Sequence, residues 1–378
     1  MNILLNVSSV RSGGGQQVAS NFLLQLAQND GFGHNWTILA GTGTRLHEQA
    51  TELNLQTEIC DISYLKRYTF EKKALKKLLR DRKIDIIYNY APCFKNIDTP
   101  QVIRSVFSNL YFPEINFWTG HSPAKRLLKK AIDRGRLQRT LLAKGIIFEN
   151  KAMMQRAQSL FGRNADDLIY IAPSITAFSA EEMPAIPEQQ QVPFNILVLS
   201  SWHPNKNIHL IPDILVALTQ LGHPDTCFTV SLSEKDEKIQ PFIADCKAKG
   251  VYERVRFIGT VAPKDVPECY RQANAVLLLS KLECFSSNII ESWSFSRPLI
   301  IADEEWSRAI CNDAALYVPR DNADGIAAAI AGLIRQPETA AALREKGTAE
   351  LRHYNSPREK VEKQIAFLCK IHEKYATR

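Results

Sequence analysis

The amino-acid sequence predicts an α/β protein made of two doubly wound domains, each a parallel sheet with helices on both faces. Three observations indicate this fold class. The chain has 378 residues, more than one hydrophobic core normally serves. In both halves, short apolar runs alternate with amphipathic helical stretches, a pattern typical of parallel strands joined by helical crossovers. A polar stretch broken by Pro184, Pro187 and Pro193 separates the two halves.

In the first half, the apolar runs are short and continuous, as expected of strands buried on both faces. Five runs are predicted as strands: Ile3–Val7, Trp36–Ala40, Ile84–Tyr88, Val102–Val106 and Gly145–Glu149. Three stretches with helical periodicity are predicted as helices: Gln16–Ala27, Ala74–Leu79 and Leu127–Leu142.

The second half repeats the alternation. The predicted strands are Phe194–Ser200, Cys227–Leu232, Val255–Ile258, Ala275–Ser280, Leu299–Ala302 and Ala315–Val318. The predicted helices are Ile208–Leu221, Pro241–Lys249, Val266–Gln272, Ser287–Ser296 and Asp324–Ile334, followed by a lone amphipathic helix at Pro357–Tyr375. With a linker at residues 179–193, these elements predict one domain at residues 1–180 and a second at residues 190–356.

Charge is distributed unevenly between the halves. Residues 1–190 carry 24 Lys and Arg against 17 Asp and Glu, whereas residues 191–378 carry 23 of each. The excess lies in two stretches, Lys66–Lys83 and Lys125–Lys144. They suit an anionic surface such as phospholipid or a lipid pyrophosphate, and a solvated helix face is the alternative. Nucleic acid is a poorer partner because few aromatic residues are interleaved with the basic ones.

The cysteines and the N-terminus favour a cytoplasmic protein. None of the eight cysteines forms a C-x-x-C pair, which favours reduced thiols over a disulfide framework or a metal cluster. The apolar run at residues 2–7 is too short for a signal peptide, and no run of about 18 apolar residues predicts a membrane-spanning helix.

Two carboxylates eight residues apart are the most informative motif. Glu283 follows the predicted strand at 275–280, and Glu291 lies in the helix that Ser286 or Ser287 can cap. A helix N-terminus at the carboxyl end of a parallel strand favours an anion such as a diphosphate. The two carboxylates would accept hydrogen bonds from hydroxyls on either side of it. A nucleotide-sugar has both groups.

Three further segments accompany this motif in a fixed order. The glycine triplet Gly13-Gly14-Gly15 follows the first strand and permits close approach of backbone to a ligand; a tight turn without a ligand is the alternative. Lys206 and Asn207 follow the first strand of the second half, where a lysine can neutralise a diphosphate. Gly259 ends the third strand of that half.

Together, these segments resemble the retaining glycosyltransferases of family four over most of the chain. The resemblance implies the GT-B fold: two Rossmann-like doubly wound domains facing a cleft, with the C-terminal helix at 357–378 crossing back to the first domain. It implies that Glu283 binds the donor hexose, Glu291 the ribose and Lys206 the leaving diphosphate. The other expected donor contacts are Gly14, Gly15, Ser201, His203, Gly259, Phe285, Ser286 and Ser287.

The sequence departs from the family pattern in three places. Ser201 stands where an arginine is common, so His203, Arg104 or Arg11 would have to supply the second phosphate contact. Family members often have glycine at the two positions that Cys284 and Ser286 occupy here, one and three residues after Glu283. No histidine follows the strand at 102–106. Asn109 is therefore the expected catalytic-side replacement and His121 a second choice, and for both a structural role is the alternative.

The expected activity is transfer of a hexose from a nucleotide-diphosphate sugar to a hydroxyl of a lipid-linked saccharide acceptor, with retention of configuration. The resemblance implies no metal and no other cofactor. The expected setting is bacterial O-antigen, lipopolysaccharide or capsule synthesis, peripherally on the inner face of the cytoplasmic membrane. The alternatives are a nucleotide-sugar 2-epimerase of the same fold and an inactive nucleotide-binding scaffold.

Overall fold

A computed structural model describes residues 1–11, 13–60, 64–90, 92–115, 122–175 and 193–375. The chain divides into two compact units. Unit 1 contains Met1–Ser174 and Asn355–Arg378, and unit 2 contains Ile175–Tyr354. The predicted linker lies outside the described residues except for Pro193.

Unit 1 is built on a seven-stranded sheet whose strands are all parallel. In chain order, the strands are β1 (Asn2–Asn6), β2 (Asn35–Gly41), β3 (Thr57–Cys60), β4 (Ile86–Asn89), β5 (Gln101–Arg104), β6 (Gly145–Phe148) and β7 (Leu168–Tyr170). Their order in the sheet is β3-β2-β1-β4-β5-β6-β7, so the first strand of the chain, β1, lies in the interior. The five strands predicted in this half are confirmed, and the two that pattern reasoning missed, β3 and β7, are the short strands at the sheet edges.

Helices cover the sheet of unit 1. They are α1 (Gly13–Gln28), α2 (Arg45–Glu52), α3 (Tyr64–Lys73), α4 (Leu75–Asp81), α5 (Pro123–Thr140) and α6 (Lys151–Phe161). The sequence carried an unused signal for α6, because the Asn150 side chain caps its first turn and Gly162 ends it in a left-handed conformation.

Unit 2 has a six-stranded parallel sheet. Its strands are β8 (Asn195–Val198), β9 (Cys227–Val230), β10 (Val255–Phe257), β11 (Ala275–Leu278), β12 (Leu299–Ala302) and β13 (Leu316–Val318), in the sheet order β10-β9-β8-β11-β12-β13. Its helices are α7 (Ile211–Gln220), α8 (Gln240–Ala248), α9 (Val266–Arg271), α10 (Ser287–Ser294), α11 (Glu305–Cys311), α12 (Ala323–Arg335) and α13 (Pro337–Leu351). All six predicted strands are confirmed.

The last helix, α14 (Pro357–Tyr375), packs on unit 1, as the fold class predicted. Its apolar face joins the core that β1, β2, β4 and α1 form, through Val361, Ile365, Phe367, Leu368 and Ile371. The contact with β6 is close: a Cβ added at Gly145 would lie 2.7 Å from Ile371 and 2.9 Å from Phe367. Gly145 therefore allows the helix to lie directly against the strand.

A buried ion cluster fixes the start of α14 to the sheet. Arg104 at the end of β5 and Lys360 on α14 both donate hydrogen bonds to the carboxylate of Glu149, which follows β6. All three side chains are 5–6% exposed. Burial raises the pKa of Glu149, but the attraction and hydrogen bonds of Arg104 and Lys360 outweigh burial and lower the pKa to about 2.

Glu149→Gln should lower the free energy of unfolding by about 3–5 kcal/mol, because it removes one partner of a buried ion cluster and leaves the cations uncompensated. Denaturant unfolding at neutral pH measures this change. Glu114→Gln is the matched control, because Glu114 forms an exposed pair with Arg156 that should contribute at most about 1 kcal/mol.

The same contact should make stability depend on acid. The folded-state pKa of Glu149 is depressed, so its contribution is fully present above the unfolded value of 4.5 and is lost as pH falls towards about 2. Wild type should therefore lose more stability across this window than Glu149→Gln does. Equal acid dependence of the two proteins would contradict the assignment.

Candidate functional site

The strand order of unit 2 defines where a ligand can bind. The helix that follows β8 leads to β9 on one side, and the helix that follows β11 leads to β12 on the other. Because β8 and β11 are neighbours, the loops at their carboxyl ends diverge and leave a crevice between them. In open parallel sheets, ligands bind at such a switch point.

The two loops bring Lys206 and Glu283 together. Lys206 ends a short 3-10 turn after β8, and Glu283 lies in the loop after β11. The Nζ atom of Lys206 donates a hydrogen bond to Oε1 of Glu283, and the side chains are 21% and 16% exposed. A partly buried pair of opposite charges thus occupies the position that the sequence predicted for a diphosphate and a sugar.

Asn205 connects the same loops. Its Nδ2 donates to the carbonyl of Leu282 at 2.8 Å, its Oδ1 accepts from the Leu282 amide at 3.1 Å, and its carbonyl accepts from the Lys281 amide at 2.8 Å. Asn205 directly precedes Lys206, and Leu282 directly precedes Glu283. These bonds therefore hold together the two loops that carry the pair. Sequence reasoning missed Asn205, although it lies in the Asn205-Lys206-Asn207 run that identified the loop.

Asn207 sets the direction in which the first loop leaves the crevice. It is fully buried and adopts a left-handed backbone conformation with φ of 51°, which asparagine tolerates better than most residues. Its Nδ2 donates to the Arg320 carbonyl and to Asp321 Oδ1, each at 3.2 Å. The loop after β13 is thereby attached to the loop that carries Lys206.

Helix α10 begins at the crevice. Ser286 is its N-cap residue and has an extended backbone. The Ser286 side chain accepts no hydrogen bond from the amides of the first turn, which begins at Ser287. The prediction that a serine side chain caps the helix is therefore wrong. Asn288 attaches the helix start to the end of β8, because its Nδ2 donates to the Leu199 carbonyl at 2.8 Å.

Glu291 lies in the second turn of α10 and is half-buried. Its Oε2 accepts a hydrogen bond of 2.8 Å from the hydroxyl of Tyr270 on α9. Burial raises the pKa of Glu291, and the Tyr270 hydrogen bond reverses only part of that effect. The Tyr270 ring stacks on Phe295 with centroids 5.2 Å apart, which fixes the direction of the hydroxyl. No sequence signal identified Tyr270.

The other residues of unit 2 that were predicted to contact the donor lie in different surroundings. Ser201 is exposed, and His203 accepts a hydrogen bond at Nδ1 from the Asn205 amide at 3.1 Å. The ring centroids of Phe285 and Tyr354 are 6.0 Å apart. Gly259 follows β10 with φ of 70°, a conformation that favours glycine, and its amide donates to the Leu232 carbonyl.

In unit 1, the glycine triplet opens α1, three residues earlier than predicted. Gly13 has φ of 71°, and a Cβ at Gly14 or Gly15 would meet nothing closer than 3.9 Å, so these positions are open. Asn109 lies half-buried in a short 3-10 turn at Ser108–Leu110. His121 lies outside the described residues.

Arg104, one of the candidates for the second phosphate contact, is buried in an ion pair. Its side chain is 6% exposed and bonded to Glu149 inside unit 1. The structure therefore assigns this arginine to the ion cluster at α14 and gives no support to a role in holding a phosphate.

Among the residues that the structure describes, no three His, Cys, Asp or Glu side chains form a group that could hold a metal ion. No described helix is long and apolar enough to span a membrane.

Residues 179–350, which include the crevice and both of its loops, match the family model described as glycosyl transferases group 1. No curated protein matches the chain.

Solved structures resemble the whole chain. A glycosyltransferase from Rickettsia africae has a TM-score of 0.71 at 14% identity and covers 98% of each chain. Alr3699/HepE from Anabaena, solved with UDP-glucose, has a TM-score of 0.68 at 15% identity and covers 97% of this chain and 99% of its own. The lipopolysaccharide outer core galactosyltransferase WaaB has 0.67 at 15%, with the same coverage. At these identities the likeness shows the fold alone, which is GT-B.

Asn205→Ala should destabilise unit 2 by about 1–3 kcal/mol, because it leaves the buried amide and carbonyl of Leu282 without partners. Denaturant unfolding and hydrogen exchange at the Leu282 amide measure the two consequences. Gln240→Ala is the control, since it also removes a side-chain bond to a backbone carbonyl but at an exposed position. Unchanged exchange at Leu282 would show that Asn205 does not join the loops.

Proposed function

We propose that the chain is a retaining glycosyltransferase that moves a hexose from a nucleotide-diphosphate sugar to a hydroxyl of a lipid-linked saccharide. The observation that carries this proposal is the meeting of Lys206 and Glu283 at the switch point of the unit 2 sheet, beside the start of α10. One site thus combines a cation, amide donors and a carboxylate acceptor. The group 1 match of residues 179–350 includes all of these residues.

The diphosphate would bind Lys206 and the first-turn amides of α10. Both are donors, and the dipole of the helix favours negative charge at this end. Ser286 and Ser287 contribute backbone in the same place. These contacts strengthen as charge accumulates on the leaving group, so they stabilise the transition state more than the bound donor.

The Lys206–Glu283 hydrogen bond implies an exchange of partners when the donor binds. A diphosphate offers Lys206 more negative charge than one carboxylate does, and Glu283 can then accept hydroxyls of the hexose. Without donor, each residue satisfies the other, which avoids an unpaired charge in a partly buried crevice.

Glu291 would accept hydrogen bonds from the ribose hydroxyls. Tyr270 occupies one carboxylate oxygen, which leaves the other for a ligand. Gly259 would border the base, and Ser201 and His203 would lie near the phosphates.

The reaction breaks the bond between the anomeric carbon and the diphosphate oxygen. The acceptor oxygen bonds to the same face of that carbon, and its proton passes to the departing diphosphate oxygen. No protein nucleophile is required, and we expect activity in the presence of a chelator, without a metal. Asn109 of unit 1 is the proposed replacement for the catalytic-side histidine beside the reacting sugar, and the amides of Gly14 and Gly15 are proposed to contact the donor phosphate or the acceptor.

The acceptor proposal uses two observations. Unit 1 carries the charge excess of the chain, which suits a lipid-linked acceptor at an anionic membrane. The structural neighbours include a lipopolysaccharide galactosyltransferase, in line with synthesis of O-antigen, lipopolysaccharide or capsule on the inner face of the cytoplasmic membrane.

The decisive experiment screens nucleotide sugars that differ in base and hexose for thermal stabilisation, because a ligand at 100 times its dissociation constant adds about 2.7 kcal/mol. The stabilising donor is then incubated with and without a saccharide acceptor. Transfer with retained configuration supports the proposal. Free epimerised sugar would indicate a 2-epimerase, and binding without turnover would indicate a scaffold.

Lys206→Ala should lower kcat by roughly 10²–10³-fold, the range for removing one donor to a developing negative charge, and should raise the donor KM less. Steady-state kinetics with the identified donor measure both constants. Lys346→Ala is the control, because Lys346 forms an exposed pair with Asp313. Unchanged kcat with intact folding would remove Lys206 from the mechanism.

Glu291→Gln should weaken donor binding by about 1.5–3 kcal/mol, the range for hydrogen bonds to charged groups. Because the pKa of Glu291 is raised, wild-type affinity should fall as pH drops through that raised value, while the Gln variant should not show this fall. Calorimetric titration across pH measures both effects, with exposed Glu345→Gln as control. An identical pH profile in wild type and Glu291→Gln would contradict the role.

A further inference from the structure

Arg297 of unit 2 is a buried cation that forms no ion pair with the residues that the structure describes. Six charged side chains are buried in the described part of the chain. Five of them form ion pairs: Glu71 with Arg139, Asp167 with Lys374, and Glu149 with both Arg104 and Lys360. Arg297, which is 4% exposed, is the sixth. Because an arginine is rarely buried unless it is paired, this one calls for a partner.

The hydrogen bonds of Arg297 leave part of its guanidinium group available. Its Nη2 donates to the carbonyl of Arg271 at 3.1 Å, whereas its Nε has no hydrogen-bond partner among the described residues. Arg271 is the last residue of α9, so this carbonyl lies at the negative end of the helix dipole, which supplies about half an elementary charge. The full positive charge of Arg297 is therefore compensated only in part.

A second arginine approaches Arg297 from α13. Arg344 lies three residues before Gly347, so the two share one face of that helix. This face packs against α10, because a Cβ added at Gly347 would lie 2.3 Å from Trp293, four residues before Arg297. Burial and then the positive charge of Arg344 lower the pKa of Arg297 to about 10. Both arginines are therefore cationic at neutral pH.

The acidic residue of α9 is already bound elsewhere. Glu268 accepts hydrogen bonds of 2.8 Å from Arg271 and 2.7 Å from Gln272. No ion pair joins Arg344 to a carboxylate of the described residues either, and this side chain is half-buried. Two positive charges thus lie close together without a carboxylate from the described chain, an arrangement that an anionic ligand would stabilise.

We propose that Arg297 and Arg344 bind a phosphoryl group, as inorganic phosphate or as a phosphate monoester. The planar guanidinium group suits phosphate, whose oxygens it can bind through two parallel N–H groups. Two cations also match the charge of a monoester, about −1.5 to −2 at pH 7, better than the single charge of a carboxylate.

This site is separate from the crevice. Arg297 and Pro298 directly precede β12, so they lie at the amino ends of the parallel strands, whereas the crevice lies at the carboxyl ends. Helix α10 begins at the crevice and ends three residues before Arg297. The phosphate site therefore does not depend on the proposed function.

Thermal unfolding in two salts tests the site. The melting temperature of wild type should rise more in sodium phosphate than in sodium chloride of equal ionic strength, because the bound anion stabilises the folded state. Arg297→Met should lose this phosphate-specific rise, so its difference from wild type should widen as phosphate is added. A purely structural arginine would give the same difference in both salts. Arg335→Gln, at an exposed position of unit 2, should match wild type.

Arg344→Gln provides the test if Arg297→Met does not fold, because Arg344 is only half-buried. Calorimetric titration with inorganic phosphate should show binding about tenfold weaker than in wild type, equivalent to about 1.4 kcal/mol. Titration with glycerol phosphate distinguishes the two sources of the phosphoryl group. Binding of both ligands assigns the site to monoesters, and binding of inorganic phosphate alone assigns it to the free ion.

The crevice is the competing location for phosphate, because Lys206 lies there. Lys206→Ala should keep the phosphate-specific rise that Arg297→Met loses, and tungstate soaked into crystals should give an anomalous signal against Arg297. Three results would overturn the proposal: a rise that Lys206→Ala removes and Arg297→Met keeps, equal rises in all variants, and tungstate at the crevice alone. A failed donor screen with an intact rise at Arg297 would reject the proposed function and leave this site standing.

Discussion

The reversal of strand order beside β8 is the constraint on which the candidate site depends. Parallel strands place all their carboxyl ends at one edge of the sheet, and the opposite directions of the connections after β8 and β11 open that edge between them. Lys206 and Glu283, 77 positions apart in the chain, meet there. The side-chain hydrogen bonds of Asn205, Asn207 and Asn288 hold the surrounding chain in place. They attach these two loops, and the helix that follows β11, to adjacent segments of unit 2.

Polar groups are buried in both units, for different purposes. In unit 1, Glu149 accepts hydrogen bonds from Arg104 and Lys360 and so attaches the last helix to the ends of β5 and β6. In unit 2, Lys206 and Glu283 are only partly buried, and in the proposed function each exchanges the other for a ligand. A deeply buried ion cluster loses too much when a partner leaves to serve as a binding site, whereas a pair at the mouth of a crevice can open.

An ion pair at α5 is a third use of charged residues. Arg139 donates two hydrogen bonds to the carboxylate of buried Glu71 and so attaches the last turns of this helix to unit 1. Leu127 and Leu128, near the start of the same helix, are exposed. Sequence composition alone identified the basic stretch, and only the structure showed which of its residues are buried.

The sequence by itself determined the fold class and the order of the main elements, because both are written in local patterns: continuous apolar runs for strands buried on two faces, and helical periodicity between them. It missed β3 and β7, where three or four residues carry too little signal, and the helices α2, α3, α6, α11 and α13. It also placed Glu283, Glu291 and Lys206 in loops or helix starts at strand ends. The pairing of Lys206 with Glu283, the Tyr270 contact of Glu291 and the joining role of Asn205 were decided only by the tertiary structure, because each depends on which strands become neighbours, and no local pattern contains that information.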